Sequence, residues 1–246
     1  MAGRIRVGIG GWVYEPWRGS FYPQGLRQKD ELAYVGEHLT ATEINATYYS
    51  SQKPATFAGW AKAVPDGFQF AVKASRYATN RKVLAEAGDS IAKFTQQGIA
   101  ELGDRLGPIL WQFMATKKFD AEDFGAFLKL LPVSVDGVPL RHALEVRHES
   151  FDSPAFLDMA RDAGAAVVFA DHEEYPAIIG YDVGFAYNRL MRTQAEESAG
   201  YAIADIARWT DHAREQATRG DVFSFFISGA KERNPAAARA MIVALG

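Results

Sequence analysis

The segment Ala143-Leu144-Glu145-Val146-Arg147-His148-Glu149 begins as an apolar run and ends in charge. In a strand, alternate side chains share a face, so Glu145 and Arg147 point one way while Leu144 and Val146 point the other. Opposite charges at that spacing are costly inside an apolar layer and suit the mouth of a barrel. The same shape recurs: Glu43 and Asn45, Lys73, Gln112, Asp171 and Arg189 each stand near the end of an apolar run. Glu145, Glu43 and Asp171 are the candidate catalytic groups. A carboxylate moves protons best with a pKa near working pH, and an aromatic-walled pocket would shift it that way. Lys73, Arg147 and Arg189 would neutralise charge developing on a substrate, with Asn45, Gln112 and His148 completing the binding set. Trp12, Tyr14 and Tyr49 would pack on its ring. The structural alternative is a mutually satisfied ion-pair layer that closes the barrel, since buried charges persist only when paired.

A second constellation is Ser228-Gly229-Ala230-Lys231, which leads to the helix start Asn234-Pro235. Free N–H groups at a helix N-terminus favour an anion, so Ser228, Gly229, Lys231 and Asn234 are a candidate anion-binding set, with Arg192 and Arg233 in the same two loops. The alternative is a solvated loop carrying ordinary cations. Glu43, Glu145, His148, Asp171 and His172 offer oxygen and imidazole ligands. If a divalent metal binds, mainly carboxylate ligands point to Mg²⁺ or Mn²⁺, although no His-x-x-x-His spacing is present. There are no cysteines, hence no disulfide, thiolate nucleophile or Cys-ligated metal.

These groups need eight strands to hold them. Apolar runs expected as strands are Ile5–Gly10, 41–45, 68–73, 109–113, the run at Glu145, 165–170, Phe185–Leu190 and 222–227. Helical spacing falls between them: 26–38 with Leu32 and Val35, a helix from Pro54 with Phe57, Trp60 and Ala61, an amphipathic stretch over 89–106, then 119–131 with Phe124, Phe127 and Leu128. Ser153 is the expected N-cap of a helix over 154–163, and 201–218 should turn Ile203, Ile206 and Trp209 inward. The loop Ser75–Arg81 reads as polar and irregular. This alternation, unbroken by a linker across 246 residues, predicts one α/β domain, a (β/α)8 TIM-type barrel. An open doubly wound sheet would need an edge strand that none of these resembles. The aromatic loop Trp12, Tyr14, Trp17, Phe21 and Tyr22 reads either as a barrel-end plug or as a stacking wall.

The net charge of −3 and pI near 6.0 exclude a protein coated in basic charge. No signal-peptide hydrophobic region follows Met1 and no run approaches a membrane span, so a cytoplasmic location without membrane partners is expected. The residues point to an enzyme acting on a small anionic, phosphorylated ligand at the strand C-termini by carboxylate acid/base chemistry, as a hydrolase or isomerase. A nucleic-acid-processing, endonuclease-like barrel is the first alternative, with a backbone phosphate in the anion site and bases on the aromatics.

Collected together, Gly11-Trp12 with Trp17 and Phe21-Tyr22-Pro23, Glu43-Ile44-Asn45 with Thr47 and Tyr49, Trp60, Pro65, Phe68 to Lys73, Leu110-Trp111-Gln112-Phe113 and Ala143 to His148 resemble the YecE-like family, domain-of-unknown-function family 72. The resemblance spans nearly the whole chain and implies an irregular TIM-type barrel, without naming a reaction. It also implies histidines after Thr79 and after Leu190, where this chain has Asn80 and Met191-Arg192, and an Asn-rich segment after the eighth strand, where it has Ser228 to Asn234. Those replacements make a non-catalytic small-ligand-binding barrel the second alternative.

Overall fold

The computed structural model describes residues 2–246. Apart from a two-stranded antiparallel ribbon (Ser134–Val135 with Val138–Pro139), its strands are β1 (Ile5–Gly10), β2 (Ala41–Ile44), β3 (Gln69–Lys73), β4 (Leu106–Gln112), β5 (His142–Glu145), β6 (Ala166–Val167), β7 (Phe169–Asp171), β8 (Phe185–Leu190) and β9 (Asp221–Phe226). All lie in one sheet, paired in parallel in the order β6-β5-β4-β3-β2-β1-β9-β8-β7. The two terminal strands of that order, β6 and β7, are separated in the chain only by Val168, whose N–H donates to the Leu144 carbonyl at 3.0 Å. They are two halves of one stave. The sheet therefore closes into an eight-staved α/β barrel of the TIM type, with its irregularity in the sixth stave.

The interior follows the period of two. Ala41, Ala71, Ala143, Ala166 and Ala170 supply small inward side chains from β2, β3, β5, β6 and β7, and Leu110, Tyr187, Phe223 and Phe225 fill the space they leave. Gly8 belongs to this fit: a Cβ there would overlap the Ala41 carbonyl oxygen and press on Phe225. At the N-terminal end of the barrel Asp221 accepts from Arg6 (3.0 Å) and Arg141 (3.3 Å), and Arg141 lies over the Phe223 ring. Outward residues of the strands meet the helical layer in a larger core that includes Val7, Ile9, Phe70, Trp111 and Leu144.

That layer comprises α1 (Glu31–His38), α2 (Ala46–Tyr49), α3 (Pro54–Lys62), α4 (Arg76–Thr79), α5 (Gly88–Thr95), α6 (Ala121–Lys129), α7 (Pro154–Asp162), α8 (Ile203–Ala217) and α9 (Asn234–Leu245). Ser153 caps α7 by accepting from the Phe156 N–H, as its sequence position predicts. Several expectations change. The stretch 89–106 is not one helix: Gly98 adopts φ +106 beside Pro54, and a 3-10 segment (Ile99–Arg105) follows. The loop after Ser75 winds into the short α4, because the Ser75 hydroxyl caps it through the Tyr77 N–H. Asn45 leaves the strand for the turn that starts α2. In α8, Ile206 and Trp209 are buried as expected, whereas Ile203 in the first turn is 87% exposed. No helix among the described residues is long and apolar enough to cross a membrane.

Candidate active site at the barrel mouth

Arg189, near the end of β8, is the centre of the mouth. Its side chain is almost wholly buried, and so are Glu43 from β2 and Glu145 from β5. Arg189 donates from Nε and Nη2 to the two Glu43 oxygens (3.0 and 3.1 Å) and from Nη1 to Glu145 Oε2 (2.6 Å). The planar guanidinium offers five donors in a fixed fork, so it takes Glu43 in a two-point bond and still reaches Glu145 from its remaining edge. Glu145 Oε1 accepts from Arg147 Nε at 2.8 Å, and Oε2 also accepts from Gln112 Nε2 at 2.8 Å. Glu43 Oε1 accepts from the Tyr187 hydroxyl at 2.6 Å. Both carboxylates are thus committed to fixed donors.

The electrostatics overturn one expectation. Burial alone would raise the Glu145 pKa, but the Arg189 and Arg147 cations and the Gln112 amide pull it down to about 2. Glu145 is held ionised rather than poised near neutrality, so the aromatic-pocket argument for a proton-donating Glu145 fails. The group that moves toward neutrality is Lys73, at the end of β3. Burial and the neighbouring Arg189 cation lower its pKa from 10.5 to about 8, against the opposing pull of Glu43 and Glu145. Lys73 Nζ lies 4.3 Å from the centre of the Tyr48 ring. Among the described residues it forms no salt bridge of its own. Its backbone is fixed by the Thr47 hydroxyl, which donates to the Lys73 carbonyl at 2.7 Å.

Other expected residues fall around this centre or away from it. Asn45 is half-buried at the mouth, its Nδ2 beside Gly10. His148 takes a local role: its Nδ1 accepts from the Ser150 N–H at 3.1 Å and caps the turn after β5. Asp171 stands apart. Val168 and Ala170 point inward, so Asp171 faces the helices, where it accepts from the Tyr201 hydroxyl at 2.8 Å and lies 3.7 Å from Arg192. Its loss from the cluster changes the balance: two carboxylates now face Lys73, Arg147 and Arg189, leaving one positive charge. Among the described residues no three His, Cys, Asp or Glu side chains are grouped so as to hold a metal ion.

In the loop after β1, Trp17 and Tyr22 are buried, and Trp12 packs edge-on against Trp60 at 5.2 Å. This is the plug. Tyr49 is 63% exposed on the rim, with Tyr48 edge-on behind it. Lys231 lies 4.1 Å from the Tyr14 ring centre, and its carbonyl accepts from Trp17 Nε1 at 2.9 Å. Asn234 Oδ1 accepts from the Thr193 hydroxyl at 2.8 Å instead of capping α9. Ser228 and Gly229, with positive φ, line a cleft of about 430 Å³ together with His172, Arg192 and Thr193. Tyr187, Tyr48 and Tyr175 are additions. Tyr187 shares the inward parity of Arg189 and was readable from spacing. Tyr175, whose ring lies 4.4 Å from the Arg147 guanidinium carbon, sits in an irregular loop that carries no periodic signal.

Comparison with known proteins agrees with this architecture. Residues 6–246 match the family described as Protein of unknown function DUF72. The chain belongs to the DUF72 family. The UPF0759 protein YunF of Bacillus subtilis is 26% identical over 159 residues, 63% of this chain, and the match spans 54% of that protein. A DUF72 family protein from Thermotoga maritima superposes with a TM-score of 0.76 at 22% identity, covering 98% of both chains. One from Enterococcus faecalis gives 0.74 at 17% identity, covering 98% of this chain and 95% of its own. At those identities the structural likeness speaks for the fold. Within the DUF72 chain described here, Asn80 stands where the resemblance implies histidine, and its Nδ2 donates to the Tyr48 hydroxyl at 3.1 Å. Met191, the second such position, is buried in the barrel interior.

Proposed function

We propose that this DUF72 barrel is an enzyme acting on a small anionic ligand at the strand C-termini, with Lys73 as its proton-carrying group. Glu43, Glu145 and Arg189 form the fixed frame beneath it, which moves the acid/base role away from the carboxylates. The observation that carries this reading is the Lys73 ammonium, without an ion-pair partner, above an otherwise paired ion layer. One uncompensated positive charge at the mouth favours an anion. An amine with a pKa of about 8 keeps a usable neutral fraction near neutral pH, whereas an ordinary lysine is almost wholly protonated there. The cleft lined by Ser228, Gly229 and Arg192, in the loops that follow β8 and β9, supports a phosphate on that ligand.

A thermal-shift panel of inorganic phosphate, sugar phosphates and short organic acids tests this. A ligand at a hundred times its Kd stabilises by about 2.7 kcal/mol, which is roughly 5–11 °C for a chain of this size. The expected result is a shift in the wild type that Lys73→Met removes and Lys129→Met leaves intact. The reading fails if no anion shifts the wild type, or if Lys73→Met shifts equally.

One rim feature supports the nucleic-acid reading as a second possibility. The Arg76 guanidinium lies 5.8 and 5.5 Å from the ring centres of Tyr49 and Tyr77, both of them mostly exposed. Aromatic and guanidinium planes of that kind stack unpaired bases. That reading requires oligonucleotide binding that weakens steeply with salt and is lost in Tyr49→Ala/Tyr77→Ala.

A further inference from the structure

The same lysine carries a statement about the substrate. We infer that Lys73 forms a covalent imine with a carbonyl-bearing anion, a short oxo acid carrying one carboxylate. This rests on the anion-binding reading above and narrows it.

The half-buried lysines of the chain differ in kind. Lys117 is tied to Asp123 at 2.7 Å, and Lys231 lies on the Tyr14 face in the loop after the last strand. Lys73 alone rises from a barrel strand into the mouth, with the paired Arg189 and Arg147 as its charged neighbours and both nearby carboxylates already bonded to arginine. With no carboxylate in ion-pair contact with it, and its charged form disfavoured by burial and by Arg189, the Nζ is available as a neutral nucleophile. Its reach is fixed as well: Thr47 holds its backbone, the Tyr48 ring lies beside its ammonium, and Asn80 holds the Tyr48 hydroxyl. Preorganisation of this kind suits attack on one carbon position. The uncharged Nζ adds to the carbonyl carbon, one amine proton passes to the oxygen to give the carbinolamine, and loss of that hydroxyl with the second amine proton releases water and leaves the C=N bond. One C=O bond is exchanged for one C=N bond and a water, with no change in oxidation state. The single substrate carboxylate offsets the one positive charge the mouth carries while Nζ, or the imine nitrogen formed from it, is protonated. Arg147 can hold it, being only partly buried and bonded on its far side to the Tyr175 hydroxyl at 3.3 Å.

The test treats the full-length protein with glyoxylate, pyruvate or 2-oxobutyrate and sodium borohydride, which fixes an imine as a secondary amine, and maps the adduct by peptide mass. The expected result is one adduct, on Lys73, that neutral propanal forms far less readily. Lys73→Arg should keep the thermal shift given by the same acids and lose the adduct. Thermal stabilisation by the oxo acids without an adduct on Lys73 overturns the imine and leaves the anion reading standing. Neither stabilisation nor adduct overturns both. Labelling spread evenly over several lysines also overturns the imine, since it is ordinary amine chemistry.

Discussion

Arg189→Met is the most informative perturbation of the frame. It keeps most of the side-chain volume and removes the cation that bridges Glu43 and Glu145, both wholly buried. Breaking a buried pair by removing one partner costs about 3–5 kcal/mol, because the remaining charge is left uncompensated. Holding Glu145 at about 2 rather than its ordinary 4.5 corresponds to on the order of 3 kcal/mol of stability at neutral pH. That figure is shared among Arg189, Arg147 and Gln112, so the loss expected from Arg189 alone rests on the buried-pair range. The variant should therefore melt about 6–20 °C below the wild type at pH 7. The sign with pH follows. Glu145 is depressed in the folded state, so its contribution in the wild type is complete above pH 4.5 and is lost as pH falls toward 2. In Arg189→Met the stranded carboxylates instead take up protons, so the deficit at pH 5 should be smaller than at pH 7. Arg189→Lys should fall between, since an ammonium keeps the charge but loses the two-point bond to Glu43. Urea melts of the three proteins at both pH values measure this. A deficit below about 1 kcal/mol, outside the range for breaking a buried pair, or a deficit equal at pH 5 and 7, would refute the reasoning.

Three further outcomes follow from the packing. Trp111 Nε1 donates to His142 Nδ1 at 3.0 Å while His142 Nε2 reaches the Pro132 carbonyl at 2.8 Å. His142→Phe should therefore cost about 1–3 kcal/mol by orphaning the Trp111 N–H. Burial lowers the His142 pKa from 6.5, so the unfolded chain protonates first and wild-type stability should decline below pH 6.5; in His142→Phe that part of the acid slope should vanish from chemical melts. Gly8→Ala places a Cβ on the Ala41 carbonyl and should cost on the order of 4 kcal/mol or more, seen as a loss of soluble protein. Ile203→Asp should stay within about 0.5 kcal/mol of wild type, whereas Trp209→Ala in the same helix should lose about 3–5 kcal/mol by thermal melt.

The barrel was legible because inward and outward residues alternate cleanly along most strands. β1 and β8 start and stop where the sequence places them, and Glu43, Glu145 and Arg189 meet because each holds the inward parity near a strand end. Asp171 shows the limit: closeness to a strand end suggested the mouth, whereas the parity set by Val168 and Ala170 sends it outward. The split of the 89–106 stretch depends on Gly98 taking positive φ against Pro54, a contact between residues far apart in sequence. Lys231 was unreadable for the same reason, since its place follows from the loop after β1 folding across the barrel end. The depressed Glu145 needed three-dimensional contact with Arg189, for which the run 143–149 supplies only Arg147.

Competitive amine labelling of Lys73 as a function of pH, read by peptide mass with and without a bound anion, tests the central claim most directly. The structure predicts half-labelling near pH 8, moving upward when the anion is present because the anion stabilises the ammonium. A midpoint near the ordinary 10.5 that no anion moves would make Lys73 a bystander and the mouth a closed ion-pair layer.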